Sequence, residues 1–259
     1  MRPSFLALKR PILCSIIEAP DTATAMGAIR NDEMDGADAF AVNSALLSPE
    51  SLEEENARRL IRCTGMPMMF FSYRSKNLAD WTDEERGKLQ LRLAEQGAAC
   101  LDVMGDYFDP SEFEFTRDSA AIAKQRQLIK DIHSVGAEVV ISSHMPVPRT
   151  AEQVLEQMSG MRDRGADIAK MITWIDKPEE FTEAVRTYAL LNEKLGIPYI
   201  FLCNGRYAHL VRHMAPHLGS VLSFSVPRYG ALSVGTQPLT RNLRQTIDAI
   251  GRRVLYPED

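Results

Sequence analysis

Short apolar runs recur along this chain, and each is followed by a longer stretch of mixed polar and apolar positions. Ile12 to Ile17 is the first run; bounded by Pro11 and Pro20, it predicts a strand. Asp21 and Thr22 are placed to cap a helix that ends near Gly36. Ala37 to Val42 predicts a second strand. Ser48-Pro49-Glu50-Ser51 then opens a charged helix running to about Thr64, with a serine cap, an early proline and acids in its first turn. Pro67 to Tyr73 reads as a third strand ending at Arg74-Ser75, and a third helix runs from Trp81 to Gly97. Cys100 to Met104 is a fourth strand, followed by a long polar-aromatic loop from Asp106 to Asp118. A fourth helix, Ser119 to Val135, is closed by Gly136.

The second half repeats the alternation. Glu138 to Ser143 predicts a strand with His144 directly after it, then a helix from Thr150 to Gly165. Ile168 to Ile172 follows as a strand and Pro178 to Leu195 as a helix, closed by Gly196. Tyr199 to Leu202 and Val221 to Phe224 are the last two strands. Helical sequence follows each, Gly205 to Ala215 after the first and, beyond a loop at 226–236, Leu239 to Leu255 after the second. The strand runs are apolar throughout rather than alternating, as parallel strands covered by helices are. Eight strand–helix units in 259 residues predict an α/β fold, a closed (β/α)8 or TIM barrel, as one domain over 1–259. A doubly wound open sheet is the rival; it has fewer strands at this length and often a Gly-rich first turn, which is absent here. No linker, low-complexity tract or short repeat divides the chain.

Composition narrows the function classes. With 45% hydrophobic and 25% charged residues the chain is an ordinary globular one, and its formal charge of −5 argues against a general nucleic-acid binder. Cys14, Cys63, Cys100 and Cys203 are far apart without metal-ligand spacing, and three fall in predicted strands, which fits a reducing compartment. No apolar run reaches membrane-spanning length, and the first residues lack the apolar core and cleavage site of a secretory signal. A cytoplasmic location is expected, with no nucleic-acid or membrane partner.

Barrel active sites lie at the C-terminal ends of the strands. The polar residues predicted there are Ser15, Asn43, Arg74-Ser75, Asp102, Ser142-Ser143-His144, Lys170, Asn204, Arg212, and Ser233 and Gln237 in the last loop. Lys170 stands alone among apolar neighbours in Gly165-Ala166-Asp167-Ile168-Ala169-Lys170-Met171-Ile172. Burial of an unpaired lysine favours the uncharged amine, which can attack a ketone to form a Schiff base. A strand-end lysine that snorkels to water fits the same stretch. His144 lies on the adjacent strand, close enough to serve as general base, although a histidine there also fits a structural role. Arg74 fits a surface ion pair, and Arg212 fits a helix face.

These points are joined by a resemblance. Ser142-Ser143-His144 and the stretch from Gly165 to Lys170 look like the histidine and lysine motifs of type I 3-dehydroquinate dehydratases. The tract from Cys203 to Ser220, with Arg212 and Leu218-Gly219-Ser220, is similar to that family's carboxylate-binding arginine segment. Phe70 to Ser75 resembles its strand-three arginine motif, and Ser233 and Gln237 match the spacing of its substrate-binding serine and glutamine. There are departures: Ala41-Val42-Asn43 stands where the family carries Glu-x-Arg, and Leu78 stands where an acid usually follows the strand-three arginine. Cys203-Asn204-Gly205 and Trp174-Ile175 replace a Ser-Met pair and a Met-Pro pair.

The resemblance implies a hydro-lyase that converts 3-dehydroquinate to 3-dehydroshikimate in the shikimate pathway of aromatic amino acid biosynthesis. It implies Lys170 as Schiff-base nucleophile and His144 as general acid–base. Arg212, Arg74, Ser233 and Gln237 become substrate ligands, with Ser15 and Asn43 also facing the substrate. No metal or organic cofactor is implied, and a homodimer is. Two alternatives stand beside it: a Schiff-base lyase for a different hydroxylated cyclic keto acid, admitted by Asn43, and a non-catalytic metabolite-binding paralogue.

Overall fold

The computed structural model describes residues 2–9, 11–230 and 235–254. Among the described residues, eight strands and eight α-helices alternate along the chain. They are β1 (Ile12–Ile17), α1 (Thr22–Met34), β2 (Ala39–Asn43), α2 (Glu54–Ile61), β3 (Met68–Phe71), α3 (Asp83–Glu95), β4 (Cys100–Met104) and α4 (Ser119–Ser134), followed by β5 (Glu138–His144), α5 (Ala151–Asp163), β6 (Ile168–Trp174), α6 (Pro178–Lys194), β7 (Tyr199–Asn204), α7 (Ala208–Leu218), β8 (Leu222–Ser225) and α8 (Thr240–Val254). The strands pair in parallel in the order β7-β6-β5-β4-β3-β2-β1-β8. β7 and β8 do not form a ladder, but the Val221 N–H donates to the Tyr199 carbonyl at 2.8 Å, which brings the ends of the sheet together. The fold is the expected (β/α)8 barrel.

Local chemistry starts the helices where the sequence places them. Asp21 accepts from the Thr24 N–H ahead of α1, and Thr82 and Thr150 form capping boxes with Glu85 and Gln153 ahead of α3 and α5. The helix that differs most is the charged run after Ser48, and α7 is shifted three residues later than expected, to Ala208–Leu218. A 3-10 turn covers Pro49–Leu52, the chain extends at Glu53, and α2 begins only at Glu54. Five strands run further at their C-terminal ends than expected: β2 takes in Asn43, β5 His144 and β8 Ser225, while β6 reaches Trp174 and β7 Asn204.

Register fixes which side chains enter the barrel, because paired residues of neighbouring parallel strands point the same way and alternate along each strand. Asn43 pairs with Phe71, Phe71 with Asp102, Ser142 with Lys170, and Lys170 with Ile200. The set including Asp102, Ser142 and Lys170 therefore faces the interior, with Cys14 and Phe224 opposite one another on the far side. The other set faces the helices: Leu13 packs with Leu243 and Ile247 of α8.

Candidate active site

Lys170 lies in the middle of β6, inside the barrel, and is 4% exposed. It does not snorkel to water. Its Nζ lies 5.3 Å from the ring centres of both Tyr73 and Phe224, on opposite sides of the barrel. The lone buried amine expected from the sequence is corrected in one respect: Asp102 of β4, fully buried, accepts from Nζ at 2.9 Å. Nζ also donates to the Tyr73 hydroxyl at 2.6 Å, and that hydroxyl donates to the same Asp102 oxygen at 2.7 Å. The other Asp102 oxygen is buried without a partner among the described residues. Such an ion pair holds the lysine in one place; removing one member of a buried pair costs about 3–5 kcal/mol. To act as a nucleophile the amine must first release a proton, and the Asp102 carboxylate is the base in contact to receive it, directly or through the Tyr73 hydroxyl.

His144 is the last residue of β5 and stands one two-residue step above Ser142, the register partner of Lys170. Its ring meets the Tyr73 ring edge-on, with centres 4.9 Å apart. The tyrosine thus touches both residues, the histidine with its ring and the lysine with its hydroxyl. Glu114 fixes the imidazole: one carboxylate oxygen accepts from both the His144 backbone N–H and Nδ1, each at 2.8 Å. With Nδ1 so engaged, Nε2 is the nitrogen left for a substrate proton. Burial pushes the Glu114 carboxyl up, but the bonds from His144 outweigh it and leave the group below its ordinary value.

Glu114 sits in left-handed backbone, at φ +44°, a conformation that costs a non-glycine residue roughly 1–3 kcal/mol. The surroundings hold it there. Ser143 donates to the Glu114 carbonyl at 2.7 Å and Gln157 of α5 to the Phe113 carbonyl at 3.2 Å. Arg164 is buried against the loop, stacks on the Phe115 ring at 3.7 Å and donates to the Gly105 and Thr116 carbonyls. Burial lowers Arg164 to about 10.

The third cluster is cationic. Arg212 of α7 is 1% exposed and donates to the side-chain oxygens of Asn204 and Gln237, both at 2.9 Å. Its Nε has no partner, and no carboxylate pairs with the guanidinium among the described residues. Burial lowers it to about 10, so it remains a cation at neutral pH. A buried guanidinium facing neutral amides is short of an anion, and a carboxylate matches its paired donors.

His144, Arg212 and Gln237 therefore stand towards the C-terminal ends of the strands, and Lys170 lies deeper, in the middle of β6. Asn43 closes β2 and accepts from the Ala45 N–H. Ser233 lies outside the described residues. Two expected substrate ligands lie elsewhere. Ser15, two residues after Leu13, faces the helical layer and is fully buried beside Asp32 of α1. Arg74 forms ion pairs with Asp83 at 2.6 Å and Asp106 at 2.8 Å. Burial alone would lower its affinity for the proton, but the two carboxylates outweigh it and hold it above the ordinary value. At the end of β3 it is Tyr73 that turns into the barrel and Arg74 that turns away.

Comparisons with known proteins identify the family and agree with the fold. The model of the family described as type I 3-dehydroquinase matches residues 13–253. The chain belongs to this family. It is 26% identical over 204 residues to a 3-dehydroquinate dehydratase of Lactiplantibacillus plantarum, covering 78% of this chain and 75% of that one. A Klebsiella pneumoniae protein of the same name is 25% identical over 187 residues, covering 70% and 69%. The structure of the Geobacillus kaustophilus 3-dehydroquinate dehydratase superposes with a TM-score of 0.81 at 16% identity, covering 95% of this chain and 93% of that one. That of the Clostridium difficile type I enzyme, with covalently modified comenic acid, superposes with a TM-score of 0.76 at 15% identity over 95% of each.

Three residues of this type I 3-dehydroquinase site have no role that the sequence alone assigns. Asp102 carried a signal, a carboxylate inside an otherwise apolar strand. Tyr73 was hidden by its neighbour Arg74, because a strand end does not reveal which of two successive residues turns inward. Glu114 is one of several acids in the 106–118 loop, and nothing in the sequence singles it out.

Proposed function

We propose that this protein dehydrates 3-dehydroquinate to 3-dehydroshikimate through a Schiff base on Lys170. The observation that carries the reading is a buried lysine amine and a carboxylate-anchored imidazole in contact with the same tyrosine. Lys170 attacks the ring ketone, and the resulting iminium draws electrons from the adjacent C–H bond. His144, held through Nδ1 by Glu114, takes that proton and returns one to the departing hydroxyl. Arg212 binds the substrate carboxylate with Gln237 beside it. A homodimer working in the cytoplasm without metal or organic cofactor belongs to the same reading and rests on the family resemblance.

The test is the rise in ultraviolet absorbance of the conjugated product from 3-dehydroquinate, with borohydride trapping in parallel. Wild type should turn over and yield a reduced adduct on Lys170. Lys170→Ala should do neither, and His144→Ala should lose turnover by about 10²–10⁴-fold while still forming adduct. A wild type that traps no adduct would overturn the reading.

A second reading concerns the substrate alone. The β2–β3 side of the mouth carries Asn43 and Tyr73, with Arg74 held by two carboxylates outside it. A neutral wall of this kind favours a cyclic keto acid with a different hydroxyl pattern. A panel of hydroxylated oxo acids assayed for water loss separates the two readings.

A further inference from the structure

Tyr73 has a position that positioning alone does not explain. Its hydroxyl touches the nitrogen that must form the new bond, at 2.6 Å, and also touches the carboxylate that neutralises that nitrogen. Its ring packs on Phe71, with centres 5.0 Å apart, and against His144, so the hydroxyl is aimed by two aromatic contacts. His144 makes no hydrogen bond to Lys170, whose Nζ is held by Tyr73 and Asp102. His144 is itself tied to Glu114 from the opposite side. The structure thus separates two proton-transfer tasks in space: one at the lysine nitrogen, one higher in the mouth.

We propose that Tyr73, with Asp102, is the acid–base pair that makes and breaks the Schiff base on Lys170, leaving His144 to the substrate C–H bond and leaving hydroxyl. The inference rests on the Schiff-base reading above. The ammonium passes one proton to Asp102, and the free amine attacks the ketone carbon. A C–N bond forms and the carbonyl pair becomes an alkoxide. Tyr73 donates its proton to that oxygen and recovers one from the nitrogen, giving a neutral carbinolamine. The proton held by Asp102 then passes through Tyr73 to the hydroxyl. The C–O bond breaks, water leaves, and the nitrogen lone pair closes the iminium. In sum, ammonium and ketone become iminium and water, and both protein groups return to their starting states. Release of product by hydrolysis runs the same steps backward. Burial first, and then the charge of Asp102, raise the Tyr73 phenol well above its ordinary value, so it carries its proton at neutral pH and has one to give.

The experiment is rapid-quench borohydride trapping with 3-dehydroquinate, wild type against Tyr73→Phe, which keeps the ring and removes the oxygen. Adduct mass on the Lys170 peptide is followed over time, and its final amplitude counts folded sites. Tyr73→Phe is expected to form adduct about 10²-fold more slowly. Imine formation then limits turnover, so the kinetic isotope effect for substrate deuterated at the carbon that loses its proton falls towards unity. A His144→Ala control should form adduct at close to the wild-type rate. Adduct formation by Tyr73→Phe at the wild-type rate, with an unchanged isotope effect, overturns the role of Tyr73 alone. Failure of the wild type to form any adduct overturns the Schiff-base reading instead, and this role falls with it.

Discussion

Arg212 shows how burial and charge set the work of one side chain. It lies within the fold as a cation whose described partners are two neutral amides. An uncompensated buried charge costs stability, and an arriving carboxylate repays that cost while it binds. Truncating such a contact costs roughly 2–5 kcal/mol of binding. Arg212→Met is therefore expected to raise KM for the acidic substrate by at least about 30-fold. It should also abolish the rise in melting temperature that a non-reacting carboxylate analogue gives the wild type. Steady-state kinetics and thermal denaturation with and without the analogue check both outcomes. An analogue that protects the variant as well as the wild type would show that the acid group binds elsewhere.

The loop between β4 and α4 links strand packing to the imidazole. Gly105 opens the loop, and a Cβ added there would lie 2.5 Å from the Glu114 carbonyl oxygen and 3.1 Å from Ser143 Oγ. No side chain fits without moving the Glu114 backbone. Gly105→Ala is expected to lower kcat by about 10-fold or more, as misplacement of catalytic groups does, and to reduce the melting temperature. Binding of a carboxylate analogue at Arg212, on the other side of the barrel, should be retained. The same loop shows where sequence reading stops. The strands were legible because runs apolar on both faces admit few structures other than covered parallel strands. The helices were legible from their caps. Lys170, His144 and Arg212 stood out because each is polar where its neighbours are not, or sits in a recognisable motif. Glu114 lies among other acids in an irregular segment, and its role depends on tertiary contacts from Ser143, Gln157 and Arg164 that no local pattern encodes. Arg74 and Ser15 were misplaced for a related reason: residue type is written in the sequence, but the side of a strand end on which a residue emerges is set by one step of register.

Stability of the whole protein should carry a pH signature from the barrel mouth. Glu18 follows β1 and alternates with Cys14 and Ile16, which puts it on the inward-facing side. Burial pushes its carboxyl up to about 7 from an ordinary 4.5. A raised carboxyl favours the fold fully below pH 4.5, and that contribution is lost as pH rises through 7. Glu18→Gln has no such dependence, so its melting temperature relative to wild type should be higher at pH 8 than at pH 5. A difference that does not change across that window would show that Glu18 is solvated. The chain already carries a formal charge of −5 at pH 7, so protonating Glu18 also eases self-repulsion on the acid side.

Arg212 also has a place in the architecture of the ring. Asn204 ends β7, and Gln237 follows β8. These are the two strands that share no ladder, and the guanidinium reaches across the gap to fasten one side to the other. The part that waits for an acid is thus a clasp on the barrel's own seam. Two of its nitrogens are spent on the scaffold and Nε is left without a partner among the described residues.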